Sequence, residues 1–465
     1  MARQSATRLQ LSAQRFLVRR MTHALVRRDV AMHDDPLRVQ SLSLAVGGVL
    51  ATLAVAAGAV VGLLRPQGVP ESAPIVIARD TGALYVRVDD TLHPVLNLAS
   101  ARLIARSASD PVAASEVSIA SAKRGPLMGI PGAPATIGER VRGQAWTVCD
   151  DDRTVVAIGE SDLDGRDSAR PVLVTPRGES AATTYLLYDG QRAAVDLRNT
   201  AVVRALRLDG VAPVPVSRTL LDLVPEVPAI VAPSIVGAGG LGPPALGGAT
   251  VGAVVLVQRA DVAERYVVLR EGLQLVGEVA ADLIRFTYDG HPSPAPAVAP
   301  AAIAALPIAT TLPVSAFPRR AHRPVGVTDG DAVCAQWRPT GSAGGASNTV
   351  VLAVASPRWD AAEVTILAQA DGEGPNVDAV VMSGGASAYV RSARIVGDLG
   401  ATGARFLVSD GGVAFGIRDD EAATFLGLGQ PPEAAPWPIL AHLPRGPELG
   451  VEAASVVRDG LPAPS

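Results

Sequence analysis

The longest uninterrupted apolar stretch runs from Leu42 to Leu64, LSLAVGGVLATLAVAAGAVVGLL, 23 residues without a charge. A helix rising about 1.5 Å per residue would carry it across roughly 30 Å, the hydrocarbon thickness of a bilayer. A cleaved signal peptide is the competing reading, with Ala57-Gly58-Ala59 as a small-residue cleavage triplet. The run exceeds the ~7–15 residues of a signal core and follows a long leader, so an uncleaved anchor fits better. Ahead of it, Thr7–Val30 sets Leu9, Ala13, Phe16, Leu17, Met21, Ala24 and Leu25 at helical spacing among arginines. This is an amphipathic basic helix. Its apolar side, led by Phe16, Leu17, Met21 and Leu25, is expected to dock on a cytoplasmic-side partner. Inner-leaflet lipid and a plain topology signal are the alternatives.

Beyond the anchor the pattern changes to short apolar runs broken by turn residues. YLLYDG, Tyr185 to Gly190, recurs as FLVSDG, Phe406 to Gly411, each followed by a second apolar run. Apolar run, Asp-Gly, apolar run is the sequence form of a β-hairpin, so Asp189-Gly190 and Asp410-Gly411 are expected to be turns with positive φ. Leu206–Glu226 and Leu426–Gly446 then both read as a Pro-rich link into a short helix ending near a proline. Earlier in each half, Tyr85–Ile104 resembles Tyr266–Ile284. The order suggests an internal duplication with the halves meeting near the cysteines. Gly237–Gly248 and Pro292–Pro300 read as loops, as do the extra residues near Gly341–Ser347 and Gly384–Tyr389.

Composition sharpens this. Aromatics are only 3% of 465 residues, while 46 glycines and 37 prolines imply many turns and few long helices. Charge is uneven: residues 1–40 hold eight arginines against three acidic residues, and the rest holds 33 basic against 42 acidic. Only Arg65 closely follows the apolar run, so the N-terminus is expected inside and the bulk of the chain outside. An acidic exterior with no basic–aromatic stripe gives no reason to expect nucleic acid.

The two cysteines, Cys149 and Cys334, are 185 positions apart, which makes metal or CxxC redox readings poor. Their surroundings mirror each other: Trp146 precedes the first by three residues and Trp337 follows the second by three. In an oxidising compartment one disulfide is the simple reading, two buried thiols the other. Catalytic chemistry is sparse. Lys123, the sole lysine, is followed by Arg124, so no GxxxxGK[ST] loop exists. The six histidines are scattered, no GxSxG occurs, and Asp150–Asp151–Asp152 reads as a solvated acidic turn. No catalytic residue, cofactor or metal is expected.

RLQLSAQRFLVRRMTHALVRRDVAMHDDPLRVQS, followed by one membrane helix and LLRPQG, resembles the N-terminus of the EccB family. That family is a core membrane component of the type VII (ESX) secretion system of actinobacteria. LMGIPGAP (Leu127–Pro134), WTVCD at Cys149, VCAQW at Cys334, FLVSDGG (Phe406–Gly412) and the ending LGLGQPPEAAPWPILAHLPRGPEL extend the likeness over nearly the whole chain. The resemblance implies an inner-membrane protein with a cytoplasmic N-terminus and a periplasmic domain of repeats around a β-rich core. It also implies a Cys149–Cys334 disulfide, homo-oligomerisation, and partners comprising an EccC-like ATPase, EccD, sometimes EccE, and the mycosin protease. Family members are often labelled ATPases, and a cell-wall-binding module is a further alternative. The expected fold is therefore α+β and β-rich: one N-terminal transmembrane helix, then an elongated pseudo-two-fold periplasmic domain of four small repeat units around a central β-rich core. The expected boundaries are a cytoplasmic segment 1–41, membrane helix 42–64, linker 65–82, first half 83–236, Gly/Pro linker 237–248, second half 249–455 and flexible tail 456–465.

Overall fold

A computed structural model describes residues 7–28, 36–64, 72–141, 145–160, 163, 170–179, 182–259, 262–288, 294–340, 347–396, 403–429 and 431–459. The chain divides into two compact units, Met1–Gly68 and Val69–Ser465.

The first unit is two helices. In α1 (Arg8–Arg27) the Thr7 N–H donates to Gln10 Oε1 at 3.0 Å, capping a helix that closes on Arg28 in the left-handed region, φ 57°. Helix α2 (Pro36–Leu64) starts on proline, whose missing N–H costs nothing at that position. Its Gln40–Val60 stretch has a mean hydropathy of 2.0 and is apolar and long enough to span a bilayer. Two hydroxyls inside it return to the helix backbone: Ser43 Oγ donates to the Gln40 carbonyl and Thr52 Oγ1 to that of Gly48. Such back-bonding is how polar atoms are satisfied in hydrocarbon.

The second unit is mixed α and β, with strands dominating. Its first sheet uses β1 (Ile75–Ala78), β2 (Leu84–Val88), β3 (Thr91–Val95), α3 (Leu98–Ala105), β4 (Val112–Ala114), α4 (Glu116–Ser121) and β5 (Leu127–Met128). After β6 (Glu139–Arg140) come β7 (Trp146–Asp150) and β8 (Thr154–Ile158) of a central sheet. The second small sheet follows: β9 (Val172–Pro176), β10 (Tyr185–Tyr188), β11 (Gln191–Ala194), α5 (Thr200–Ala205), β12 (Val214–Val216), α6 (Arg218–Leu223) and β13 (Glu226–Val227). The third holds β14 (Val254–Arg259), β15 (Val262–Val268), β16 (Leu273–Val276), α7 (Glu278–Tyr288) and α8 (Pro300–Ala304). Then β17 (Ala332–Thr340), β18 (Ser347–Ala355), β19 (Val364–Ile366) and β20 (Ala379–Val381) complete the central sheet in the order β18-β17-β7-β8-β20-β19. The fourth small sheet has β21 (Ala386–Ala393), β22 (Arg405–Ser409), β23 (Ala414–Ile417), α9 (Asp420–Phe425), β24 (Glu433–Pro436) and α10 (Trp437–His442), followed by α11 (Val451–Ala454) and β25 (Val457–Arg458).

One connectivity runs through the small sheets. Three antiparallel strands lead into a helix, the chain returns parallel to the first strand, and after a second short helix it runs parallel to the third. Thus β4 lies parallel to β1, β12 to β9 and β24 to β21. In the third sheet single bridges, Leu256 to Ala297 and Leu273 to Ile308, trace the same path. Tyr85, Tyr185, Tyr266 and Phe406 all sit on the middle strand of their triplet. Helix starts are fixed locally: the side chains of Asn97, Ser115, Asn199, Ser217 and Asp419 each accept a backbone N–H at a cap.

With so few aromatics, packing falls to Val, Leu, Ile and Ala. One core joins Val148, Val156, Val333 and both buried tryptophans to Leu220, Leu221, Ile439 and Leu440 of α6 and α10. A second presses α5 against α7 through Val202, Ala205, Leu283 and Ile284. A third packs Leu103 of α3 with Leu426 and Ala454. Each buried leucine contributes about 1.5–3 kcal/mol.

Several expectations change. Residues 65–82 are not all linker, because β1 lies inside that range and pairs with β2. Gly237–Gly248 is a built turn: Gly239 N–H donates to Val251 O, and Pro244–Leu246 forms a 3-10 turn. Residues 386–389 begin β21 rather than extending a loop, while 341–346 lie outside the described residues. Past Ser455, Val457 and Arg458 pair with β5, since an open edge of the first sheet receives them; 460–465 lie outside the described residues.

Candidate functional site

Cys149 and Cys334 are joined in a disulfide at the middle of the central sheet, fully buried and opposite one another in the antiparallel β7–β17 pair. The same register places Trp146 opposite Trp337. Antiparallel pairing keeps the sum of partner numbers constant, so a tryptophan three before one cysteine must face a tryptophan three after the other. The mirror-image spacing in the sequence is therefore the imprint of this register.

Asp189-Gly190 forms the two-residue turn between β10 and β11, with φ 45° and 73°. A Cβ on Gly190 would lie 2.4 Å from the Val350 carbonyl oxygen, so the hairpin tip also abuts β18. The second turn differs. Neither Asp410 nor Gly411 takes a positive φ; Gly412 does, at 75°, and its N–H donates to the Ser409 carbonyl. The extra residue makes a longer loop in which only the last position is left-handed. Asp410 instead accepts the Gly385 N–H through Oδ2 at 2.9 Å, tying this turn to the start of β21.

Beneath the disulfide lies a polar network that the sequence reading missed. Asp150 is buried, not solvated as expected, because β7 points its side chain at the first residues of α6: the Ser217 N–H donates to its Oδ2 at 2.6 Å. Its Oδ1 has no partner among the described residues. Burial raises the Asp150 pKa above the usual carboxylate range, opposed by the Ser217 N–H and the nearby Arg177 charge. Asp378, also buried, accepts the N–H groups of Thr154, Asp371 and Gly372 at 2.7, 2.8 and 2.7 Å. Arg177 donates to the Asp151 carbonyl oxygen at 2.7 Å. The neighbours Asp151 and Asp152 are exposed, as a turn requires. The only signal in the sequence was DDD directly after a strand, which cannot say which carboxylate turns inward.

The arrangement fixes strands to one another. No group of three or more His, Cys, Asp or Glu suited to a metal occurs among the described residues. His93 contacts the Pro126 carbonyl, and His442 lies 4.0 Å from Asp222, joining α10 to α6. On α1, Phe16, Leu17, Met21 and Leu25 are all exposed.

A prediction follows from Asp150. With its folded pKa above its unfolded value, the folded state holds more protons between those values, so this residue makes stability fall as pH rises through that window. Asp150→Asn keeps an acceptor for the Ser217 N–H and removes the ionisation. The variant is expected to lose that slope in denaturant melts from pH 4 to 7, whereas an unchanged slope would assign the pH dependence elsewhere.

One helix among the described residues, near the N-terminus, is long and apolar enough to cross a membrane, and with the large β-rich body and its internal disulfide it defines a membrane-anchored protein that works outside the membrane. The chain belongs to the family described as type VII secretion system ESX-1, transport TM domain B, whose model matches residues 3–463. It is 35% identical to the ESX-3 secretion system ATPase EccB3 of Mycolicibacterium smegmatis, over 98% of this chain and 91% of that protein. Against the ESX-5 secretion system ATPase EccB5 of Mycobacterium tuberculosis strain H37Rv the identity is 32%, over 98% and 94%. Among solved structures, it matches a chain of an intact ESX-5 inner membrane complex with a TM-score of 0.70 and 30% identity, covering 100% of this chain and 98% of that one. It also matches an EccB3 dimer from the ESX-3 core complex, TM-score 0.70 and 32% identity, covering 83% and 100%.

Proposed function

We propose that the chain is a structural core subunit of a type VII (ESX) protein-secretion membrane complex, stabilising the assembly and extending it into the periplasm. The observation that carries this is the chain-long likeness to a subunit of an intact ESX inner membrane complex, anchor and β-rich body included. In this reading the 1–41 segment is cytoplasmic, α2 is the anchor, and the body works as two halves clasped at the Cys149–Cys334 sheet. The partners are an EccC-like ATPase, EccD, EccE where present, the mycosin protease, membrane lipid and further copies of the chain itself. The apolar side of α1 at Phe16, Leu17, Met21 and Leu25 docks on a cytoplasmic-side subunit.

The word ATPase in the relatives' names belongs to those proteins; here Lys123 lies in no phosphate-binding loop. Deleting the gene is expected to stop export through its ESX system and complementation to restore it, read by immunoblot of culture filtrate. Undiminished export after deletion would contradict the proposal. Topology has its own check. Reporter fusions after Arg38 and after Pro70 are expected to give opposite compartment signals, and a periplasm-only reporter active at both positions would remove the anchor.

A further inference from the structure

Arg445 follows α10 and lies over two aromatic rings, its Cζ 5.0 Å from the Phe406 centroid and 5.2 Å from that of Trp437. The rings themselves are 6.3 Å apart and inclined at 40°. Phe406 is buried and Trp437 is 45% exposed, so the guanidinium is gripped on a firm base at the protein surface. Cation–π contact of this kind holds the group against the rings without using its N–H donors in hydrogen bonds. Among the described residues Arg445 has no hydrogen bond and no acidic partner.

The residue borders a cavity of about 520 Å³ at the edge of the fourth sheet, with Arg405, Phe406, Gly416, Arg418 and Glu448. Arg418 and Arg445 bring two guanidinium groups to this cavity beside Glu448, while Arg405, next to Phe406 on β22, points to the opposite face of the sheet toward Asp420. Arg418 is held weakly, reaching Glu448 and Glu452 at 3.4 and 3.6 Å, with both carboxylates exposed. Exposed pairs of that sort contribute little and exchange readily for a better anion. Gly416 stands directly opposite Phe406 in the β22–β23 pair, and a Cβ there would meet nothing closer than Glu448 Cγ at 4.0 Å. The floor is open because a side chain is missing, not because the backbone demands glycine.

We infer that this cavity is a binding site for an oxyanion group, a phosphate or carboxylate displayed by a ligand on the extracytoplasmic side. A planar, pre-positioned guanidinium offers two parallel N–H donors, the geometry that both anions accept. The site does not depend on the proposed secretory role, and its test does not use secretion.

Trp437 reports on the site. The full-length chain in a maltoside detergent, which carries no phosphate, is titrated with inorganic phosphate and separately with malonate while tryptophan emission is followed. Trp437→Phe assigns the signal. Saturable change with either probe is expected, phosphate alone marking a phosphate site and malonate alone a carboxylate site. Arg445→Ala should abolish it, and Arg445→Lys, which keeps charge but loses the fork, should weaken it about tenfold or more. Gly416→Val, a favourable strand residue that fills the floor, should block binding without lowering the melting temperature. Absence of a saturable change with both probes overturns the site, as does saturable binding that survives both Arg445→Ala and Gly416→Val.

Discussion

Replacing Phe16, Leu17 and Leu25 together with serine, all arginines retained, is expected to leave membrane insertion intact and to abolish recovery of the assembled complex. The three side chains are exposed on α1, where they form an apolar strip among arginines. Two or three arginines suffice to orient a membrane helix, yet residues 1–40 carry eight, interleaved with apolar residues at helical spacing. Each large apolar side chain moved from water into a protein groove contributes about 1.5–3 kcal/mol. Loss of three therefore removes several kcal/mol from one interface, enough to weaken it by three or more powers of ten. Lipid burial would give another result, since the retained arginines still add about 1 kcal/mol each near an anionic leaflet. Blue-native electrophoresis decides: a complex of normal size and yield in the triple variant would assign the strip to lipid or to topology alone.

The second large effect concerns the disulfide. Cys149→Ala with Cys334→Ala is expected to lower stability by about 3–5 kcal/mol, because opening a loop of 185 residues returns its entropy to the unfolded chain. For a body of this size that is a fall in melting temperature of about 3–6 °C. Both positions are buried beside Ala332 and Ala355, so alanine introduces no unpaired polar group. The cross-strand pairs of β7 and β17, Trp146 with Trp337 among them, should hold the sheet together in the folded variant. Non-reducing peptide mapping of the parent is expected to recover one cross-linked pair containing both tryptophans. Complete thiol labelling of unreduced, denatured protein, or a double variant as stable as the parent, would contradict this.

What could be read from the sequence was whatever a local pattern determines. The 23-residue apolar run encodes a helix by length alone, and Asp189-Gly190 encodes a turn because both residues tolerate positive φ. FLVSDGG looked like the same turn, but the second glycine shifts the left-handed position to Gly412, and three residues of context cannot decide between a two-residue turn and a longer one. The Trp–Cys mirror spacing was visible, whereas the register it encodes needed the partner strand. Long-range features were out of reach. Asp150 and Asp378 are buried where Ser217 and Thr154 aim backbone N–H groups at them, partners 67 and 224 residues away respectively. The stacking of Arg445 on Phe406 and Trp437 likewise depends on α10 folding back over the fourth sheet, although RGPEL and PWPIL both stood within one quoted motif.

The central claim is membership of a secretion complex as a structural core subunit, and its most direct measurement is purification of the full-length chain, tagged and expressed from its own locus, out of native membranes. Mass spectrometry of the intact particle is expected to find an EccC-like ATPase and an EccD-like subunit with several copies of this chain. Recovery of the chain only by itself, as monomer or dimer with those subunits present in the same membranes but absent from the particle, would contradict the account.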